Sequence, residues 1–229
     1  MRSITKFAAA TAALSMAAFA GSANAAIFIG LQQAGVDGDG GGAACVSGGI
    51  CTKASGAAAA VFFGTYGSFE MELLTGTQGV DPALLGSTTS DTNSLGAGGT
   101  LDVYVTRTDI DGPVPLSFFS SFTSNVLPAG WTVTQSTYVS TANALYTGTL
   151  LSSHLFTAAD TFSETKAFAG GAGPYSVTTR YTLTAPTTGN ALSTVAIASV
   201  PEPGTWALMI TGFGGAGAMI RRRRRAIAA

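Results

Sequence analysis

Charge is scarce in this chain, and what little there is excludes several kinds of protein. Asp, Glu, Lys and Arg make up 10% of the 229 residues, with one histidine, His154, and two cysteines, Cys45 and Cys51. Once the two ends, 1–25 and 201–229, are set aside, residues 26–200 hold four basic residues, Lys53, Arg107, Lys166 and Arg180, against eleven acidic ones, a net charge of −7. No basic stripe remains to follow a phosphate backbone, which excludes nucleic acid as a partner. A single histidine cannot supply the imidazole clusters typical of zinc sites, and the two cysteines have no histidine near them. No Gly-x-Ser-x-Gly elbow and no glycine-rich loop ending in Gly-Lys-Ser/Thr occurs, so neither a hydrolase nucleophile nor a phosphate cradle is announced. Internal repeats are absent as well, which removes propellers and solenoids.

What is present begins at the ends. Arg2 and Lys6 precede an apolar run over 7–20, and Ala23-Asn24-Ala25 supplies a small-x-small cleavage site before Ala26. This is the pattern of a secretory signal, read by the Sec translocon and signal peptidase, with Ala23 and Ala25 flanking the cut. A retained N-terminal anchor is disfavoured, because the apolar run is short and ends at Gly21 and Ser22. At the other end, residues 205–220 carry no charge. As a helix they would reach roughly 24 Å, short of a bilayer core of about 30 Å. Trp206 at one interface, and Arg221, Arg222, Arg223, Arg224 and Arg225 among lipid phosphates at the other, would complete a marginal span. The arginines would stay cytoplasmic with the short tail 226–229, and everything upstream would lie outside.

The triplet Pro201-Glu202-Pro203, the aromatic Trp206, a glycine-rich apolar span and a terminal arginine cluster occur here in that order. Together they resemble the PEP-CTERM sorting signal of Gram-negative bacteria. The resemblance implies recognition by exosortase, a membrane-embedded cysteine peptidase, with release or transfer of the outer region near the triplet. It also implies a setting of exopolysaccharide and biofilm, at the cell surface or in the extracellular matrix. An unprocessed C-terminally anchored protein is the alternative. Segments 29–35, 127–133 and 173–178 look like recurring stretches of such proteins, and they bring no catalytic residues.

Between the ends, the pattern is that of strands. Leu101, Val103 and Val105 alternate with Asp102, Tyr104 and Thr106, and Val177, Tyr181 and Leu183 share one face of a second run. Further strands are expected over 26–31, 57–63, 66–74, 114–122, 131–139, 144–151 and 192–198. Turn chemistry separates them at Gly98-Gly99, Asp111-Gly112-Pro113, Pro128-Ala129-Gly130, 170–174 and Gly189-Asn190. The expected fold is mainly β, an antiparallel β-sandwich over 26–200, flanked by an N-terminal signal helix and a C-terminal transmembrane helix. One helical turn is expected over 81–85, where Pro82 follows an Asp cap, and a surface loop over 86–99.

The candidate sites within the domain each carry a plain reading beside a sharper one. Cys45 and Cys51 suit a disulfide, because export removes cytosolic reductants and Gly48 and Gly49 let the short loop return; free thiols and a metal site rank below. Asp37 and Asp39 invite calcium, yet they lack the closing glutamate of an EF-hand loop and read better as a solvated turn. The same holds for 109–112. Ser152, Ser153 and Asp160 lie near His154 in sequence without a catalytic setting, and a surface histidine is favoured. Glu70 and Glu72 would share one strand face as solvent-side acids rather than as a glycosidase pair. Most of the aromatic rings read as core packing, while Tyr104, opposite the Leu101, Val103 and Val105 face and flanked by Asp102 and Thr106, is open to a sharper reading as part of a polysaccharide platform. The expected function is that of a non-enzymatic exported protein without cofactor or metal; a carbohydrate-binding or carbohydrate-active sandwich is the alternative.

Overall fold

The computed structural model describes residues 26–36, 45–46, 49–79, 83–96, 98–112, 114–200, 207–215, 217 and 221. The signal segment 1–25, with Ala23 and Ala25, lies outside them, as do Asp37 and Asp39, the residues Pro201, Glu202, Pro203 and Trp206, and Arg222 to Arg225.

The described strands run in order β1 (Ile27–Gln33), β2 (Cys45–Val46), β3 (Ile50–Gly56), β4 (Ala59–Tyr66), β5 (Phe69–Thr77), β6 (Ala83–Ser94) and β7 (Gly99–Ile110). They continue as β8 (Ser117–Val126), β9 (Thr132–Ser140), β10 (Thr149–Phe156), β11 (Asp160–Ala167), β12 (Tyr175–Ala185) and β13 (Gly189–Ser199). Two antiparallel sheets result. One has the order β10-β9-β12-β7-β1-β3-β2, the other β11-β8-β13-β6-β5-β4. They share one core. Leu101, Val103, Val105, Val177 and Leu183 from the first meet Leu74, Phe118, Phe122, Val195 and Ile197 from the second. Burying each such side chain contributes about 1.5–3 kcal/mol. Hydroxyls also cross the gap, as Ser120 and Thr137 share a hydrogen bond of 2.8 Å.

Several expectations are corrected. The stretch over 81–85 is no helical turn where described: Ala83, Leu84 and Leu85 open β6. That strand extends to Ser94, so most of the expected loop over 86–99 is sheet. Ladders from β5 on one side and β13 on the other hold it. An interior position satisfies the backbone of a Ser/Thr-rich strand whatever its local preference. Residues 144–148 likewise belong to a loop, and β10 starts only at Thr149. Val114 makes a lone bridge to Gly171, and β8 starts at Ser117. Residues 57–58 form a turn, and Tyr66 ends β4 rather than opening the next strand. Strands β2, β3 and β11 were not expected; β11 alternates polar residues with only Phe162 to mark its inner side.

Beyond Val200, the backbone is helical over 207–215. No helix among the described residues is long and apolar enough to cross a membrane.

Candidate functional site

Two places in the domain gather chemically capable side chains, and the chain's exit from β13 forms a third. The first is the outer face of the seven-stranded sheet. Register sets Arg180 of β12 opposite Tyr104 of β7, and Thr182 opposite Asp102. Arg180 therefore reaches diagonally, donating from Nε to Asp102 Oδ1 at 3.0 Å and from Nη2 to Oδ2 at 2.9 Å. Thr182 donates a further hydrogen bond to the same carboxylate. The guanidinium carbon lies 5.4 Å from the Tyr104 ring centroid. Side-chain exposures of 35% for Arg180 and 15% for Asp102 leave the pair only partly open to water. Hydrogen bonding to Asp102 holds the Arg180 guanidinium above its ordinary pKa, against the opposing effect of burial. Burial raises the Tyr104 pKa, and the Asp102 charge adds to it.

The alternation of β7 puts Tyr104 on the face opposite Leu101, Val103 and Val105, but the exposed ring that a polysaccharide platform needs is not found there. Tyr104 is 6% exposed and Thr106 is fully buried. The β9–β10 connection covers them. Asn143 donates to Asp109 Oδ1 at 2.7 Å, Ser176 donates to the Ala144 carbonyl at 2.6 Å, and the Tyr146 amide donates to Thr106 Oγ1 at 3.2 Å. Tyr146 meets Tyr104 at 5.8 Å between ring centroids, and its hydroxyl shares a 2.7 Å hydrogen bond with Thr52 of β3. Burial raises the Tyr146 pKa, partly offset by that bond. A glycine makes the approach possible: a Cβ at Gly30 would sit 2.8 Å from Tyr146 Cζ.

The second place is the side where β10 and β11 meet. His154 stacks on Phe162, with centroids 4.1 Å apart and rings 8° from parallel, and meets Phe156 edge-on at 4.6 Å. Its sequence neighbours are directed elsewhere. Ser152 donates to Glu164 at 2.9 Å, Ser153 shares a hydrogen bond with Ser136 at 2.7 Å, and Asp160 accepts from the Thr161 amide at 2.7 Å. The half-buried His154 closes the side of the sandwich against aromatic rings. Glu70 and Glu72 are exposed on β5, and Glu72 accepts from Asn93 at 2.6 Å. Among the described residues, no group of three or more His, Cys, Asp or Glu could hold a metal ion.

Cys51 is disulfide-bonded. Cys45, the other cysteine of the sequence, lies directly opposite it in the β2–β3 register, a separation that suits such a bond.

At the chain's exit, β13 stays in register with β8 as far as Ser199, and the Val200 amide donates to the Ser117 carbonyl at 3.0 Å. Folded sheet thus runs to the residue before Pro201. Set against known families, the stretch that starts at this strand end, residues 199–225, matches the PEP-CTERM protein-sorting motif. The chain carries a PEP-CTERM motif. No curated protein matches the chain. The motif implies an exported, membrane-passing protein processed by exosortase. Of the motif residues, Arg221 is described, exposed and helical, whereas the triplet and Trp206 fall outside the described residues. The Asp102–Arg180 pair carried little signal in the sequence beyond two of the domain's few charges falling on alternating strands.

Proposed function

We propose that this is a non-enzymatic exported protein, held in the membrane by residues 205–220 until exosortase acts near Pro201–Pro203, and then kept at the cell surface or in the exopolysaccharide matrix. The observation that carries this reading is the placement of the PEP-CTERM motif at 199–225, directly after a folded strand. The motif is a substrate feature, and the sandwich is its cargo. The arginines from Arg221 onward would hold the C-terminal end on the cytoplasmic side. Within the cargo, Ser152, Ser153 and Asp160 face partners other than His154, and the Arg180 fork is spent on Asp102, which fits a structural domain better than a catalytic one.

Mass spectrometry of the mature termini, with the cell fraction recorded, tests the reading. Expected termini are Ala26 and a residue close to the triplet. Replacing Pro201, Glu202 and Pro203 by alanine should leave a membrane-bound species that keeps its arginines. Unchanged maturation of that variant in an exosortase-bearing strain would defeat the proposal.

A second reading, carbohydrate contact, is favoured by one observation: Tyr138 stays half-buried, paired with Thr178 two residues from Arg180 in the β9–β12 register. A partly open ring beside a charged pair suits sugar stacking. Glycan-array binding by the mature protein, abolished by Tyr138→Ala, would support it, and silence on the array would remove it.

A further inference from the structure

Both ends of the sandwich's chain leave from the same side. The Ala26 carbonyl accepts from the Thr108 amide at 2.9 Å, and Ile27 pairs with Arg107, near the C-terminal end of β7. The last strand ends at that level too, with Val200 bonded to Ser117, just beyond the link from β7 to β8. Between Val200 and Ala207, the first helical residue described, extended chain covers at most about 25 Å. The eleven residues of β13 alone span roughly 36 Å. A tether shorter than the domain keeps this end near the bilayer.

The surface found there suits such a position. Leu116 is 46% exposed and Phe119 is 37% exposed. Leu116 packs against the neighbouring loop, where its carbonyl accepts from the Phe168 amide at 2.8 Å and its Cδ2 would lie 2.7 Å from a Cβ at Gly170. Segments 112–120 and 167–174 contain no charged residue. In sequence the two segments follow Asp111, exposed after β7, and Lys166, which pairs with Glu164 at 3.9 Å. Anionic lipids would repel the acidic faces of a domain with a net charge of −7; the opposite end, with exposed Leu95 and Val126, is also uncharged over 92–101, 121–131 and 183–190, so it is the short tether that selects the rim at Leu116 and Phe119.

We propose that, in the anchored precursor, the rim formed by Leu116, Phe119 and the 168–174 loop beds in the interfacial zone of the bilayer. The proposal rests on the anchored-precursor reading above, and goes beyond it by giving the domain an orientation and a lipid contact. Apolar side chains at a domain's rim gain by entering the headgroup boundary, and a tether that holds them there removes most of the cost of finding it.

The test uses the precursor with its tail intact, reconstituted into vesicles of phosphatidylethanolamine and phosphatidylglycerol without exosortase. Single cysteines replace Leu116, Phe119 or, at the opposite end, Leu95 and Val126, and each carries a bimane fluorophore; circular dichroism confirms that every variant folds. Doxyl-labelled lipid should quench positions 116 and 119 roughly twofold more than 95 and 126, as expected for a depth of about 5–10 Å. Carbonate extraction of the same vesicles reports the anchor separately. Equal quenching at both ends in a carbonate-resistant protein overturns the lipid contact and leaves the anchor standing. Release by carbonate overturns both. Shielding of position 116 without lipid quenching, in a species of twice the mass, assigns the rim to a second copy and also overturns the proposal.

Discussion

Gly30 decides whether the loop over 141–148 can lie flat on the seven-stranded sheet. Any side chain there would collide with Tyr146, and with Ile50 Cγ2 at 2.8 Å. Gly30→Ala should therefore destabilise the domain by about 1–3 kcal/mol, measurable as a lower denaturant midpoint, and should expose Tyr146 to solvent quenchers. The two covered tyrosines set a pH response. Tyr104 and Tyr146 both have pKa values raised from the ordinary 10.0 in the folded chain. Their contribution to stability is complete below the unfolded value, about 10, and is lost as pH rises from there through the folded values, because the unfolded chain releases these protons first. Urea midpoints measured either side of pH ~10 should show this loss, and Tyr104→Phe with Tyr146→Phe should flatten it. Little of this was legible in the sequence. Alternation of Tyr104 with Leu101 and Val103 gave its face correctly but not its burial, since the cover comes from residues about forty positions away. Positive φ at Asn143 (54°) and Tyr146 (58°) lets the loop make its turns, and no local pattern announced it.

Among the strands, β7, β12 and β13 were the easiest to read, because a half-buried antiparallel strand writes its two faces into alternate residues. β6 was not, and the reason is physical. Its sequence from Gly86 to Ser94 is glycine, serine, threonine, aspartate and asparagine, a composition that suits a loop wherever water can satisfy the backbone. Flanking ladders supply those hydrogen bonds instead, and Thr92 and Ser94 are buried. Amide hydrogen exchange provides the check: amides of β6 and β13 should exchange far more slowly than those of the edge strands β4 and β11, whereas a true loop over 86–94 would exchange within the dead time. At the opposite sheet, the β2–β3 hairpin is the short element that a covalent link holds in register. Cys51→Ser should remove on the order of 2 kcal/mol and lower Tm by about 5 °C, with no matching loss when the wild-type protein is compared with and without a mild oxidant.

For the molecule as a whole, the two kinds of information in the sequence had different fates. The tail was readable because sorting depends on linear order, a triplet, an apolar stretch and arginines, and residues 199–225 match the corresponding motif. The sandwich was readable as a class but not in its strand order, which depends on pairings between residues far apart in the chain. One of those pairings matters for a domain carried on a tail. The strand that leads into the tail lies inside its sheet, with β8 on one flank and β6 on the other. A pull on the tail along the strand loads both flanking ladders in shear, so many hydrogen bonds must fail together. A terminal strand at a sheet edge, pulled the same way, would be held by one ladder instead of two. The cargo is thus built to stay folded under tension while its leash is being cut.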